Sequence, residues 1–80
     1  MKNVEIGYLL DFYGSFLTER QRGFLSYHYN DDYSLAEIGE SEGISRQGVH
    51  DALKRGEAAL YDMEERLGLV KRYLSVVNEL

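Results

Sequence analysis

Arg46, Gln47, His50, Lys54 and Arg55 occupy one ten-residue stretch that begins directly after Ser45. The chemistry open to such a set is recognition, with no bond made or broken. Arg and Gln can form paired hydrogen bonds to the edge of a base, and Lys and Arg can neutralise phosphate oxygens. Arg46 and Gln47, with His50 beside them, suit base edges. Ser45 suits a base or a phosphate, and Lys54 and Arg55, further along, suit backbone phosphates.

The other groups that could do chemistry offer little. The two histidines, His28 and His50, lie far apart in the chain and lack metal-ligand spacing. No glycine-rich run ends in Lys followed by Ser or Thr, as a phosphate-cradling loop requires. Glu64 and Glu65 are adjacent on a helix, so their side chains diverge, which suits a wet face and not acid–base catalysis. Asp31 and Asp32 are followed by no calcium-loop spacing and read as a solvated turn. The chain is therefore expected not to be an enzyme, and to have no catalytic residue, cofactor site or metal site.

Residues that must reach a base edge need a rigid element beneath them, and the stretch from Ser34 to Gly56 supplies one. Ser34 with Glu37 forms a capping box, in which the hydroxyl and the carboxylate satisfy the open N–H groups of a helix start near Leu35. Gly43 sits where the chain must take positive φ to leave that helix. Gly43, Ile44 and Ser45 form the turn, and Ser45 can cap a second helix whose Val49, Ala52 and Leu53 recur at helical spacing. Those residues would close with Ile38 and Ile44 over a small core, leaving Arg46, Gln47, His50, Asp51, Lys54 and Arg55 outward. Two short helices around a glycine turn make a helix-turn-helix, whose second helix enters the major groove N-terminal end first. The same layout also serves units that pack only protein, with a polar face that is merely solvated.

On either side the pattern is also helical. From Val4 to Leu17, Ile6, Leu9, Leu10, Tyr13, Phe16 and Leu17 mark an inward stripe, and Tyr8 and Phe12 spill onto a second face, to pack inside the domain or to meet a partner chain. Thr18 with Gln21 is another capping box, opening a helix from Glu19 to about Tyr29 that Asn30, Asp31 and Asp32 end. Leu53, Gly56, Leu60, Met63, Leu67, Val70, Leu74 and Val77 then alternate spacings of three and four. A break at Gly68 is preferred to one long helix, because glycine favours a C-terminal cap. The last helix either folds back on the first or pairs with a second molecule as a homodimer.

Eighty residues make one domain, 1–80, with the helix-turn-helix at 34–56 and a helical extension at 57–80. A chain this short buries only about 60% of its unfolded surface, so the core is thin. The absence of cysteine excludes disulfides, thiolate zinc sites and a thiol nucleophile. Glu5 and Asp11 interrupt what would be a signal-peptide apolar run, and no stretch approaches the roughly 20 apolar residues of a membrane span, so a cytoplasmic location is expected. The net charge of −5 argues against indiscriminate phosphate binding. Its distribution softens that objection: Arg46, Lys54 and Arg55 stand against Asp51 alone between Arg46 and Gly56, whereas Ser34 to Ser45 carries only Glu37, Glu40 and Glu42.

The blocks L-L-D-F-Y-G-S-F-L-T-E-R-Q-R, S-L-A-E-I-G-E-S-E-G-I-S-R-Q-G-V-H-D-A-L-K-R-G-E and E-E-R-L-G-L-V-K-R-Y, in that order, resemble the YlxM-type helix-turn-helix proteins of bacteria. The middle block is similar to the promoter-reading region 4 of primary sigma factors, and the resemblance runs from about Leu9 to Tyr73. It implies an all-α, sigma-region-4-like bundle of about five helices that binds DNA as a regulator. It also implies a part in the signal recognition particle pathway, with the particle's protein or RNA components as partners. An accessory factor that docks on the particle's GTPase without binding DNA is the alternative. The family's S-R-Q motif matches Ser45, Arg46 and Gln47, and its K-R matches Lys54 and Arg55. Two positions depart from the pattern. Glu42 stands where an apolar core residue is usual, and Gly48 replaces a better helix former, which predicts a looser unit or a tilted reading helix.

Overall fold

The computed structural model describes residues 4–79. Five α-helices follow in order: α1 (Val4–Tyr13), α2 (Glu19–Tyr29), α3 (Leu35–Glu42), α4 (Arg46–Leu67) and α5 (Leu69–Glu79). The described residues contain no strand. No helix among them is long and apolar enough to cross a membrane.

The helix starts are set by local hydrogen bonds. At α2, Gln21 N–H donates to Thr18 Oγ1 at 3.1 Å while Thr18 N–H donates to Gln21 Oε1 at 3.2 Å. At α3, Glu37 N–H donates to Ser34 Oγ at 3.1 Å and Ser34 N–H to Glu37 Oε1 at 2.9 Å. Those bonds favour the charged form of Glu37 and hold its carboxyl below the usual range. Two helix ends use left-handed backbone, Gly43 at φ 72° and Gly68 at φ 63°, a conformation only glycine adopts without a Cβ penalty. Gly68 thus divides α4 from α5 at the predicted break.

The 22-residue α4 is about 33 Å long by helical rise and forms the spine against which every other helix packs. It runs unbroken through Gly56, so the division between residues 56 and 57 falls inside one helix. Gly56 is where α2 crosses: a Cβ there would lie 2.8 Å from Leu25 Cδ1. The core joins Ile6, Leu9 and Tyr13 of α1, Phe24 and Leu25 of α2, Ile38 of α3, Val49, Leu53 and Leu60 of α4, and Val70 of α5. No described polar or charged residue is fully buried.

The structure corrects the expected first helix. It ends at Tyr13 and tightens into a 3₁₀ turn, Gly14–Phe16, before Leu17 turns extended. With three residues per turn instead of 3.6, the 3₁₀ segment takes Phe16 off the inward stripe, and its ring is 73% exposed. The C-terminal stripe is also corrected. Leu53, Gly56, Leu60 and Val70 are buried. Leu67, the last residue of α4, is 53% exposed, and Val77 is exposed too.

Of the two courses open to the last helix, the chain shows fold-back. α5 returns antiparallel along α1, with Leu69 N–H donating to Tyr13 Oη at 3.0 Å. Further along, the Tyr73 ring meets Phe12 at 5.5 Å and Tyr8 at 6.1 Å between centroids. Tyr8 and Phe12 therefore pack within the chain and are only half-exposed.

Candidate nucleic-acid interface

The turn between α3 and α4 is held from both sides. Ile44 N–H donates to Gly39 O at 3.0 Å, and Gly43 N–H bonds the same carbonyl. A Cβ on Gly39 would lie 2.7 Å from Ile44 O, so the close approach of the two helices requires the bare backbone there. Ser45 begins α4 from extended backbone, its Oγ accepting Gly48 N–H at 3.0 Å. Gly48 is thereby anchored and α4 is regular through it. Glu42 is exposed at the end of α3 while the next apolar residue, Ile44, packs on the core. Both helices are formed at these two positions, with Glu42 the last residue of α3 and Gly48 in the first turn of α4.

The side chains that follow differ in what they have left to offer. Arg46 is exposed and makes no ion pair or side-chain hydrogen bond among the described residues. With Leu35, Gln47 and His50 it lines a shallow groove of about 360 Å³. His50 is half-exposed, but its Nδ1 is covered, has no hydrogen-bond partner and lies 3.6 Å from Asp51 Oδ1. Nε2 is therefore the nitrogen through which His50 could meet a ligand. Gln47 is committed, its Nε2 donating to Asp51 Oδ1 at 2.9 Å.

Lys54 Nζ stands 3.9 Å from Glu57 Oε1, a long contact between an exposed ammonium and a largely covered carboxylate. Glu57 in turn accepts Tyr29 Oη at 2.8 Å. Burial and that neighbouring carboxylate push the Tyr29 phenol up to about 12, so it stays a neutral donor. Arg55 is exposed and unpaired among the described residues. At about 100° per residue, Arg46, His50 and Lys54 fall on one line down α4, with Gln47 beside it. Arg55 lies roughly half a turn from Arg46, at the opposite margin of the same outward face.

The structure therefore brings five of the six sequence-derived candidates to one accessible band starting at the helix N-terminus, and leaves Arg55 at its edge. Asp51 has a part that its outward position alone did not reveal. It sits at the middle of the band, holds Gln47 and offsets one of the three cationic side chains. The i, i+4 spacing of Gln47 and Asp51 was the available signal, since such pairs meet on a helix surface.

Comparison with known proteins agrees with this architecture. The family model described as "Putative helix-turn-helix protein, YlxM / p13 like" matches residues 1–79. The chain is 54% identical over 72 residues to a UPF0122 protein of Thermoanaerobacter sp. (strain X514), covering 90% of this chain and 62% of that protein. A UPF0122 protein of Acetivibrio thermocellus is 54% identical over 77 residues, covering 96% and 66%. One of Symbiobacterium thermophilum is 49% identical over 84 aligned positions, covering 100% and 78%. The chain spans about three fifths to four fifths of the length of these curated relatives. Helix order, the glycine turn and the extent of these matches together place it: the chain belongs to the UPF0122 family of helix-turn-helix proteins.

Proposed function

We propose that this protein is a DNA-binding regulator that lays the N-terminal half of α4 in the major groove and performs no reaction. The observation that carries the reading is Arg46. A fully charged guanidinium stands in the first turn of an exposed helix, unpaired by any described residue, where a paired hydrogen bond to a guanine edge would be made. His50 and Ser45 stand beside it for base or phosphate contact, and Lys54 and Arg55 lie further along for phosphates. Because Asp51 occupies Gln47, reading by Gln47 requires that bond to open or to turn the amide's free oxygen to the base.

The test is selection from a random duplex pool, followed by affinity measurements across a salt series. Arg46→Ala should cost about 1 to 3 kcal/mol at one base position, and Lys54→Ala should lower the salt slope by about one unit with little change in sequence preference. No binding at low salt ends this reading.

The link to the signal recognition particle rests on the resemblance of the chain's ordered blocks. Its test is recovery of particle components on tagged protein from cell extract. Recovery that survives Arg46→Ala would mark docking independent of the reading helix, and absence of recovery would remove the link.

A further inference from the structure

We infer that the α1–α5 face is a self-complementary surface for a second copy of this chain. The inference does not depend on nucleic-acid binding.

Each of the two helices turns one apolar row inward and carries a second beside it. On α5, Val70 and Leu74 pack on the core, whereas Leu69, Tyr73 and Val76 face out, with Val76 54% exposed. On α1 the row Val4, Tyr8, Phe12 runs at helical i, i+4 spacing along the border of the core, with Val4 68% exposed and Tyr8 and Phe12 half-exposed. The Tyr73 contacts to Phe12 and Tyr8 set the two rows side by side, so the exposed side chains form one patch across both helices. Contiguous apolar surface of this kind marks an interaction site, whereas scattered exposed residues do not.

The rims of the patch identify what covers it. Arg72 borders it on α5 and Asp11 borders it on α1, and both are exposed without an ion pair among the described residues. They lie at the same level along the helices, since each is the chain neighbour of a residue in the Tyr73–Phe12 ring contact. A two-fold axis parallel to the helices lays α5 of one copy antiparallel over α1 of the other. Arg72 then meets Asp11 of the second copy at one rim, and the symmetry repeats the pair at the other. An isologous contact needs one surface complementary to itself in shape and charge, and this face meets the charge condition twice.

Sedimentation equilibrium of the 80-residue chain over a wide concentration range tests the inference. The mass should rise from the 9.2 kDa of one chain to twice that. Val76→Glu, at a position outside the core, should raise the dissociation constant by about tenfold or more with unchanged helicity. Arg72→Glu alone should weaken association, and Arg72→Glu with Asp11→Arg should restore it. A mass of one chain at every concentration overturns the inference, whatever else the face binds. So does a dimer indifferent to Val76→Glu, and so does a charge-swapped double variant no better than Arg72→Glu alone.

Discussion

Tyr13 Oη donates to Glu64 Oε1 across 2.6 Å, joining the end of α1 to the last turns of α4, 51 residues away. The same carboxylate accepts Val70 N–H and Lys71 N–H, each at 3.0 Å, and the phenol oxygen accepts Leu69 N–H. Three otherwise open N–H groups at the start of α5 are thus satisfied by side chains from two other helices. The α1–α5 face exists because this junction holds α5 against α1.

Tyr13→Phe removes the donor to Glu64 and the acceptor for Leu69 N–H while keeping the buried ring. It should lower the melting temperature by several degrees and raise amide exchange in α5 ahead of α3 and α4. Equal protection of α5 in both proteins would show that apolar packing alone holds that helix.

Acid should release the same helix. Desolvation works to raise the Glu64 carboxyl, but the hydrogen bonds from Tyr13, Val70 and Lys71 outweigh it and hold the group below its ordinary 4.5. The depressed value means that the unfolded chain binds this proton first as pH falls. The stabilisation is complete above about 4.5 and disappears as pH drops through the lower folded-state value. Glu37 acts in the same sense at α3. Thermal melts from neutral pH to pH 3 should lose stability mainly below about 4.5, and Glu64→Gln should flatten that dependence.

Glycine-to-alanine changes should sort by the room at each site. Gly23 lies inside α2 with nothing within 4 Å of an added Cβ, so Gly23→Ala should stabilise by about 0.5 to 1 kcal/mol through helix propensity. Gly39→Ala places its methyl against the Ile44 carbonyl and should destabilise by about 1 to 3 kcal/mol, because the turn itself must shift. Urea midpoints of the two variants on opposite sides of the wild type are the expected result.

Asp51→Asn should strengthen binding to duplex DNA by about 0.2 to 1 kcal/mol at low salt, because it removes the carboxylate at the centre of the outward α4 face. The gain should fade as salt rises. Titrations of wild type and variant at two ionic strengths check it, and weaker binding by Asp51→Asn would mean that the carboxylate makes a favourable contact of its own.

What this sequence determined alone is what neighbours within four residues can decide. Thr18 with Gln21, Ser34 with Glu37, and Ser45 start three helices by bonds that span three residues, and Gly43 and Gly68 end two by backbone freedom. The outward set from Arg46 to Arg55 followed from the same periodicity, since a buried row of Val49 and Leu53 leaves the other positions of α4 exposed. Tertiary structure alone decided what joins distant segments. The Tyr13–Glu64 junction, the crossing of α2 at Gly56 and the seating of Tyr73 on Phe12 and Tyr8 leave no mark at short spacing. Phe16 and Leu67 were misplaced for a related reason. Their side chains continue a regular stripe, but where the helix tightens or ends is set by how the next segment must reach its own packing site. Local hydrogen bonds fix the elements, whereas the face each element hides is fixed by the burial of apolar surface shared among helices.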